Sequence, residues 1–145
     1  MAELKMTAEE VSGFLADVFP QLAGRFEIVE LAPMRARVRM RMQEADLRPG
    51  GTVSGPSMFA LADVAFYIVT LAMIGPQALT VTTNCNINFM RKPAPGAMLG
   101  EARLMKLGRS LSVGDVTLTS EGSADVVAHA ALTYAIPPQK AGAGG

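Results

Sequence analysis

The chain has 145 residues, half of them hydrophobic, and its Lys plus Arg and Asp plus Glu counts are equal at 13 each. That length suits one domain with a real core, while the balanced charge excludes a global field for nucleic acid or an acidic membrane surface. One cysteine, Cys85, excludes an internal disulfide and fits a reducing compartment.

The first ten residues, MAELKMTAEE, lack an apolar h-region and carry early acids, so no secretory signal is read there and a cytoplasmic protein is expected. Thr7 and Glu10 have capping-box spacing, and Val11, Phe14, Leu15 and Val18 recur at helical intervals until Pro20 stops the helix. Phe26 to Leu31 reads as a short strand that Pro33 breaks. From Met34 to Met42, arginine alternates with methionine, alanine and valine, the period-two pattern of a strand. Arginines in such a row suit phosphates, but the alternation fits a solvated sheet face better. Arg48-Pro49-Gly50-Gly51 is a loop, and Pro56 suits a first helical turn. A long helix then runs from about Ser57 to Ile74 and stops at Gly75-Pro76.

Beyond it come strands only: Leu79 to Met90, Gly96 to Leu107, Leu111 to Ser120 and Asp125 to Ile136. The plan is one domain, with 1–25 as its N-terminal helical segment, 26–136 as its body and 137–145 as a Gly/Ala-rich tail with no reason to order. A long apolar helix followed by consecutive antiparallel strands needs a sheet curved around that helix, an α+β fold. The stretch from Gly55 to Gly75 is long enough to cross a bilayer, with Asp63 its only charge. Strand patterns fill both flanks, no basic cluster borders it, and a central aspartate is costly in lipid. A helix wrapped by a sheet needs the same all-round apolarity, so a membrane is not expected as a partner. Mean hydropathy of +0.28 is high for so small a domain and predicts surface hidden in an oligomer.

Asp63 is the residue to explain, because buried aspartates are rare unless paired or functional. Gly55 stands at a helix start, where backbone N–H groups are unsatisfied and the dipole is positive, a place that suits an oxyanion. Eight residues separate the two, roughly 12 Å along a helix, so both cannot converge on one carbonyl from the same helix. Two copies lying antiparallel across a two-fold axis bring each Asp63 to the other's Gly55. The structural alternative is an acid satisfied by amides across an interface.

This stretch resembles the signature of hot-dog-fold acyl-CoA thioesterases of the PaaI type, a loop Asn-x-x-Gly-x-x-His-Gly-Gly leading into a helix that carries an acid. Arg48 to Pro56 matches the loop and Asp63 the acid, and the run from Val81 to Pro93 and the block Gly108-Arg109-Ser110 fit as well. The resemblance covers roughly Phe26 to Ile136. It implies a long helix wrapped by five or six antiparallel strands, paired into homodimers and often homotetramers. It implies hydrolysis of an acyl-CoA substrate, with Asp63 as general base or nucleophile, the Gly55 N–H polarising the thioester carbonyl from the partner chain, and Thr82 holding the attacking water. Arg91, Lys92 and Arg109 become candidates for the coenzyme A phosphates, with Asn84, Ser110 and Met58 beside the substrate. No cofactor is implied, coenzyme A being part of the substrate.

Three departures stand out: Arg48 replaces the asparagine, Ser54 the histidine and Pro56 the last glycine. Ser54 retains a hydroxyl but cannot take up a proton near neutral pH. Arg48 suits a phosphate, an acyl carboxylate or solvent, and Pro56 lacks an N–H. His129, amid apolar strand residues, reads as a strand histidine, and one His with one Cys gives no zinc cluster. Cys85 has no base nearby in sequence to make it a nucleophile. Two alternatives share the fold: a hydratase or dehydratase, which normally wants a histidine, and an acyl-CoA-binding or assembly module without turnover.

Overall fold

In a computed structural model of the chain, residues 3–22 and 24–138 are described; part of the expected tail, 139–145, lies outside them. Helix α1 (Ala8–Val18) starts at the Thr7 capping box, both of whose reciprocal hydrogen bonds form. A short 3₁₀ turn (Pro20–Leu22) leads to β1 (Phe26–Ala32), which forms a hairpin with β2 (Arg35–Met40). Then come a 3₁₀ turn (Glu44–Asp46), the long helix α2 (Gly55–Ile74) and four strands, β3 (Val81–Phe89), β4 (Met98–Leu107), β5 (Leu111–Ser120) and β6 (Val126–Ala135). All six strands form one antiparallel sheet in the order β1-β2-β4-β5-β6-β3, so β1 and β3 are its edges.

The sheet wraps α2, which is why that helix is apolar all round rather than on one stripe. Leu61, Ala62, Ala65, Phe66, Ile68, Val69, Leu71 and Ala72 are completely buried. By length and composition α2 is long and apolar enough to cross a membrane, with a mean hydropathy of 2.0, but 67% of that window is buried inside the fold. One stretch stays uncovered: Gly55, Pro56, Ser57, Phe59, Ala60 and Asp63 are half-buried or exposed, whereas every residue from Val64 to Met73 is buried.

The alternating strand behaves as a half-wet strand should. Ala36, Val38 and Met40 enter the core. On the outer face Arg37 pairs with Glu101 at 3.2 Å, and Arg39 with Glu27 at 2.9 Å and Glu121 at 2.7 Å. These arginines are thus answered by acids of their own sheet. His129 lies on the same face, its Nε2 2.9 Å from Asp115 Oδ2.

Candidate active site

The first turn of α2 is held from below by a buried acid. Asp46 is 3% exposed. Its carboxylate accepts from the Arg25 guanidinium, from Ser57 Oγ at 2.8 Å and from the Gln43 N–H at 2.9 Å, and its carbonyl accepts from the Ser54 N–H at 2.7 Å. Ser54 is the N-cap: its Oγ accepts from the Ser57 N–H at 3.3 Å and donates to Ser57 Oγ at 3.1 Å. The Ser54 hydroxyl is therefore engaged in starting the helix. Of the next residues, Pro56 has no N–H, and the Gly55 N–H has no partner among the described residues. It is a free donor at the positive end of a 20-residue helix.

In front of Gly55 is a cavity of about 600 Å³ whose walls include Arg48, Met58, Phe89, Arg91 and Lys92. The fold thus gathers five of the residues singled out from sequence: Arg48, Gly55, Met58, Arg91 and Lys92. Arg91 is tied to β6, its Nε donating to the Val126 carbonyl at 2.8 Å. Arg48 and Lys92 have no ion-pair partner among the described residues.

Asp63 occupies a different place. Strand β3 pairs Thr82 with Tyr134 and then Asn84 with Thr133, leaving Thr83 as an extra residue. That bulge turns Thr82 to the same inner face as Cys85 and Ile87. Thr82 Oγ1 donates to Asp63 Oδ1 at 2.7 Å. The Tyr134 hydroxyl, on the buried face of β6, shares its proton between Asp63 Oδ1 at 2.7 Å and the Asp63 carbonyl at 2.9 Å. Two hydroxyls thus fix Oδ1, and Oδ2 has no partner among the described residues. Burial and then the charge of Asp63 push the Tyr134 hydroxyl far above its ordinary value, so it stays a donor. The same two causes, in the same order, raise the Cys85 thiol, which agrees with reading it as no nucleophile.

The acid opens on a cavity of about 450 Å³ whose wall is mostly apolar, with Phe19, Leu22, Val64 and Tyr67 among its members. Thr80 also lines it, and its buried hydroxyl finds no hydrogen-bond partner among the described residues. The two cavities share no lining residue. Within one chain, then, Asp63 and Gly55 face separate spaces.

Three expected substrate contacts are not brought to either cavity. Asn84 lies on the outer sheet face opposite Thr133. Arg109 and Ser110 form the β4–β5 turn, where the Ser110 carbonyl accepts from the Ile136 N–H at 2.9 Å. That turn is level with the start of β3, whereas Arg91 and Lys92 follow its end, about 26 Å away for nine extended residues. Sequence reasoning missed Tyr134, Asp46, Arg25 and Thr80. Tyr134 announces itself only through register, as the cross-strand partner of Thr82, and Asp46 carries no local signal beyond an acid in a Gly/Pro loop.

A family model described as the thioesterase superfamily matches residues 50–127. The chain is 54% identical to a provisionally named thioesterase from a Silicibacter species, covering 94% of this chain and 96% of that one with a TM-score of 0.88. The phenylacetic acid degradation protein PaaI from Thermus thermophilus, in a mutant form, is 27% identical over 81% of this chain and 99% of its own, with a TM-score of 0.69. A Streptococcus mutans protein solved with acetyl CoA shares the fold, at 24% identity, 81% and 93% coverage and a TM-score of 0.68.

Proposed function

The chain belongs to the thioesterase superfamily, and from that premise we propose that it hydrolyses acyl-CoA thioesters at a site completed by two protomers. Hydrolysis of a thioester is the coarse assignment that the family carries. The observation that carries the finer reading is Asp63 itself, a carboxylate with Oδ1 held by two hydroxyls and Oδ2 unpartnered at the wall of a largely apolar cavity. Coenzyme A esters suit the basic residues at the Gly55 cavity, and the same fold holds acetyl CoA in the Streptococcus mutans protein.

Two independent features support pairing of chains. Gly55, Phe59 and Asp63 are spaced i, i+4, i+8 on the uncovered stripe of α2, with Phe59 midway. Two such stripes packed antiparallel about an axis at Phe59 set each Asp63 against the partner's Gly55. Strand β3 is an unpaired edge whose Val81 and Phe89 are 52% and 51% exposed, with Met90 just past its end at 56%, and an exposed apolar edge invites another strand. Antiparallel pairing of that edge carries the partner's Arg91–Lys92 end to the end of the sheet where Arg109 and Ser110 lie.

In this arrangement water at Oδ2 gives a proton to Asp63 while its oxygen attacks the thioester carbon. Charge developing on the carbonyl oxygen meets the partner's Gly55 N–H. The C–S bond then breaks, the thiolate of coenzyme A recovers the proton from Asp63, and free acid and thiol leave. A hydratase is disfavoured because the position that would carry its histidine is Ser54, whose hydroxyl caps α2. The test is release of free thiol from a panel of acyl-CoAs. The wild type should turn over, and Asp63→Asn should keep its fold and assembly while losing ~100-fold or more in kcat. A wild type that binds the ester without releasing thiol favours the binding-module alternative, and full turnover by Asp63→Asn overturns the mechanism.

A further inference from the structure

We propose that a second cavity, beneath α1, receives the far end of the acyl group, and that Leu22 and Val64 form the partition that sets how long an acyl group the site accepts. The inference rests on the thioesterase reading and adds a subsite to it. This cavity is about 150 Å³ and is walled mainly by Leu15, Phe26, Ile28 and Ile68, with Ser12 at its edge and no charged side chain in its lining among the described residues. It and the Asp63 cavity have two lining residues in common, Leu22 and Val64. Those two residues border both spaces, which is the position a partition would take.

The occupant follows from reach and chemistry. The thioester carbon must lie at Asp63 and Thr82, so the acyl group runs from there along the apolar wall that Phe19, Tyr67 and Val64 provide. Val64 is the next residue of α2 after Asp63, and Ile68 is one turn further along, so the second cavity continues that wall. A space of this size is large enough for a benzene-sized group. Each methylene buried there is worth about fourfold in binding. Leu22 ends the short 3₁₀ turn that joins α1 to β1 and is only half-buried, so it can swing without disturbing a strand. The substrate class is an uncharged acyl group whose far end is about the size of a phenyl ring.

Ala16 lines the second cavity from the exposed side of α1. Ala16→Trp fills the cavity without removing a buried atom, and Leu22→Ala opens the partition. Acetyl-CoA and octanoyl-CoA serve as probes, with thiol release giving kcat/KM and calorimetry, run with Asp63→Asn added to each chain wherever the ester is turned over, giving Kd. Ala16→Trp should leave acetyl-CoA at the wild-type level and lower octanoyl-CoA by ~10-fold or more in both measures; Leu22→Ala should raise the octanoyl-to-acetyl ratio. An unchanged ratio in Ala16→Trp, or an equal loss on both esters, overturns the subsite while leaving the thioesterase reading standing. A wild type without thiol release overturns that reading, and the Kd ratio still decides the subsite. Failure to bind either ester overturns both.

Discussion

Replacing Gly55 by proline removes one hydrogen-bond donor and adds one local constraint, a ring directly before Pro56. The Gly55 N–H has no partner among the described residues, so no hydrogen bond of the fold is lost. Ser54 has φ −75° and ψ 156°, a conformation suited to the residue before a proline, and proline is accepted in a first helical turn. A Cβ at position 55 would meet its nearest neighbour, Phe89 Cζ, at 3.5 Å, an ordinary contact. The helical region is disfavoured for a residue with a Cβ before Pro56, so a stability loss of about 1–2 kcal/mol is expected and the thermal melt measures it. Catalysis should change much more. Pro56 offers no N–H and the Ser57 N–H is bound to Ser54 Oγ, so no neighbouring donor takes over. Loss of one oxyanion donor costs ~10²–10³ in kcat, about 2.7–4 kcal/mol. The assay is steady-state thiol release beside a thermal melt. Mixing adds a sharper test: Gly55→Pro and Asp63→Asn chains are each inactive alone, yet a mixed dimer holds one site with both groups intact. Random pairing of equal amounts restores about a quarter of the sites of a two-fold dimer. Wild-type kcat in Gly55→Pro, or no recovery on mixing dimers shown to have exchanged, refutes the shared site.

Tyr134→Phe deletes a hydroxyl that donates to the Asp63 carboxylate at 2.7 Å; bonds to charged groups are worth ~1.5–3 kcal/mol, so kcat should fall ~10-fold or more in the same thiol assay. The pH profile of melting gives a second readout. Burial and Asp63 hold the Tyr134 proton in the folded chain above the ordinary 10.0 of tyrosine, so the unfolded chain loses that proton first. The stability this residue contributes is present below pH 10 and declines as pH rises beyond it; Tyr134→Phe should flatten that alkaline decline, and an unchanged slope contradicts the assignment. Asp46→Ala strands the Arg25 guanidinium and releases Ser57 and the Gln43 N–H. Urea unfolding should report a loss of ~3–5 kcal/mol, and a loss below about 1 kcal/mol would contradict that role.

The strands were legible to within about two residues because half-buried strands write a period of two into the chain: Leu111–Ser120 matches at both ends and the arginine strand is trimmed only to Arg35–Met40. Helix α2 begins two residues before the expected Ser57, since Ser54 caps it one step earlier than the glycine and proline suggest. Asp63 was legible as a lone acid in an apolar run. Its surroundings were not. Thr82 reaches it through a bulge that inverts the alternation of β3, and Tyr134 arrives from a strand 71 residues away. Neither the bulge nor the pairing of β3 with β6 is a property of any local window, because both are set by register across the sheet.

One helix cannot perform both tasks of this chemistry. A free backbone donor exists only in the first turn, where the helix has not yet closed its own ladder; the carboxylate lies about two turns further in, still on the uncovered stripe, where Thr82 and Tyr134 of the sheet reach it. The distance between these positions is fixed by helix rise at roughly 12 Å, far beyond the ~3 Å at which a donor serves an oxyanion. No side-chain choice shortens it, and the two separate cavities express that limit. A second chain removes it, provided the uncovered stripe from Gly55 through Phe59 to Asp63 is the surface of contact. The apolar excess in the composition then has a definite place: Phe59 on α2, Val81 and Phe89 along β3 and Met90 just past its end are exposed in the single chain. On this reading the residues that make the chain too greasy to stand alone are the ones that bring acid and amide together.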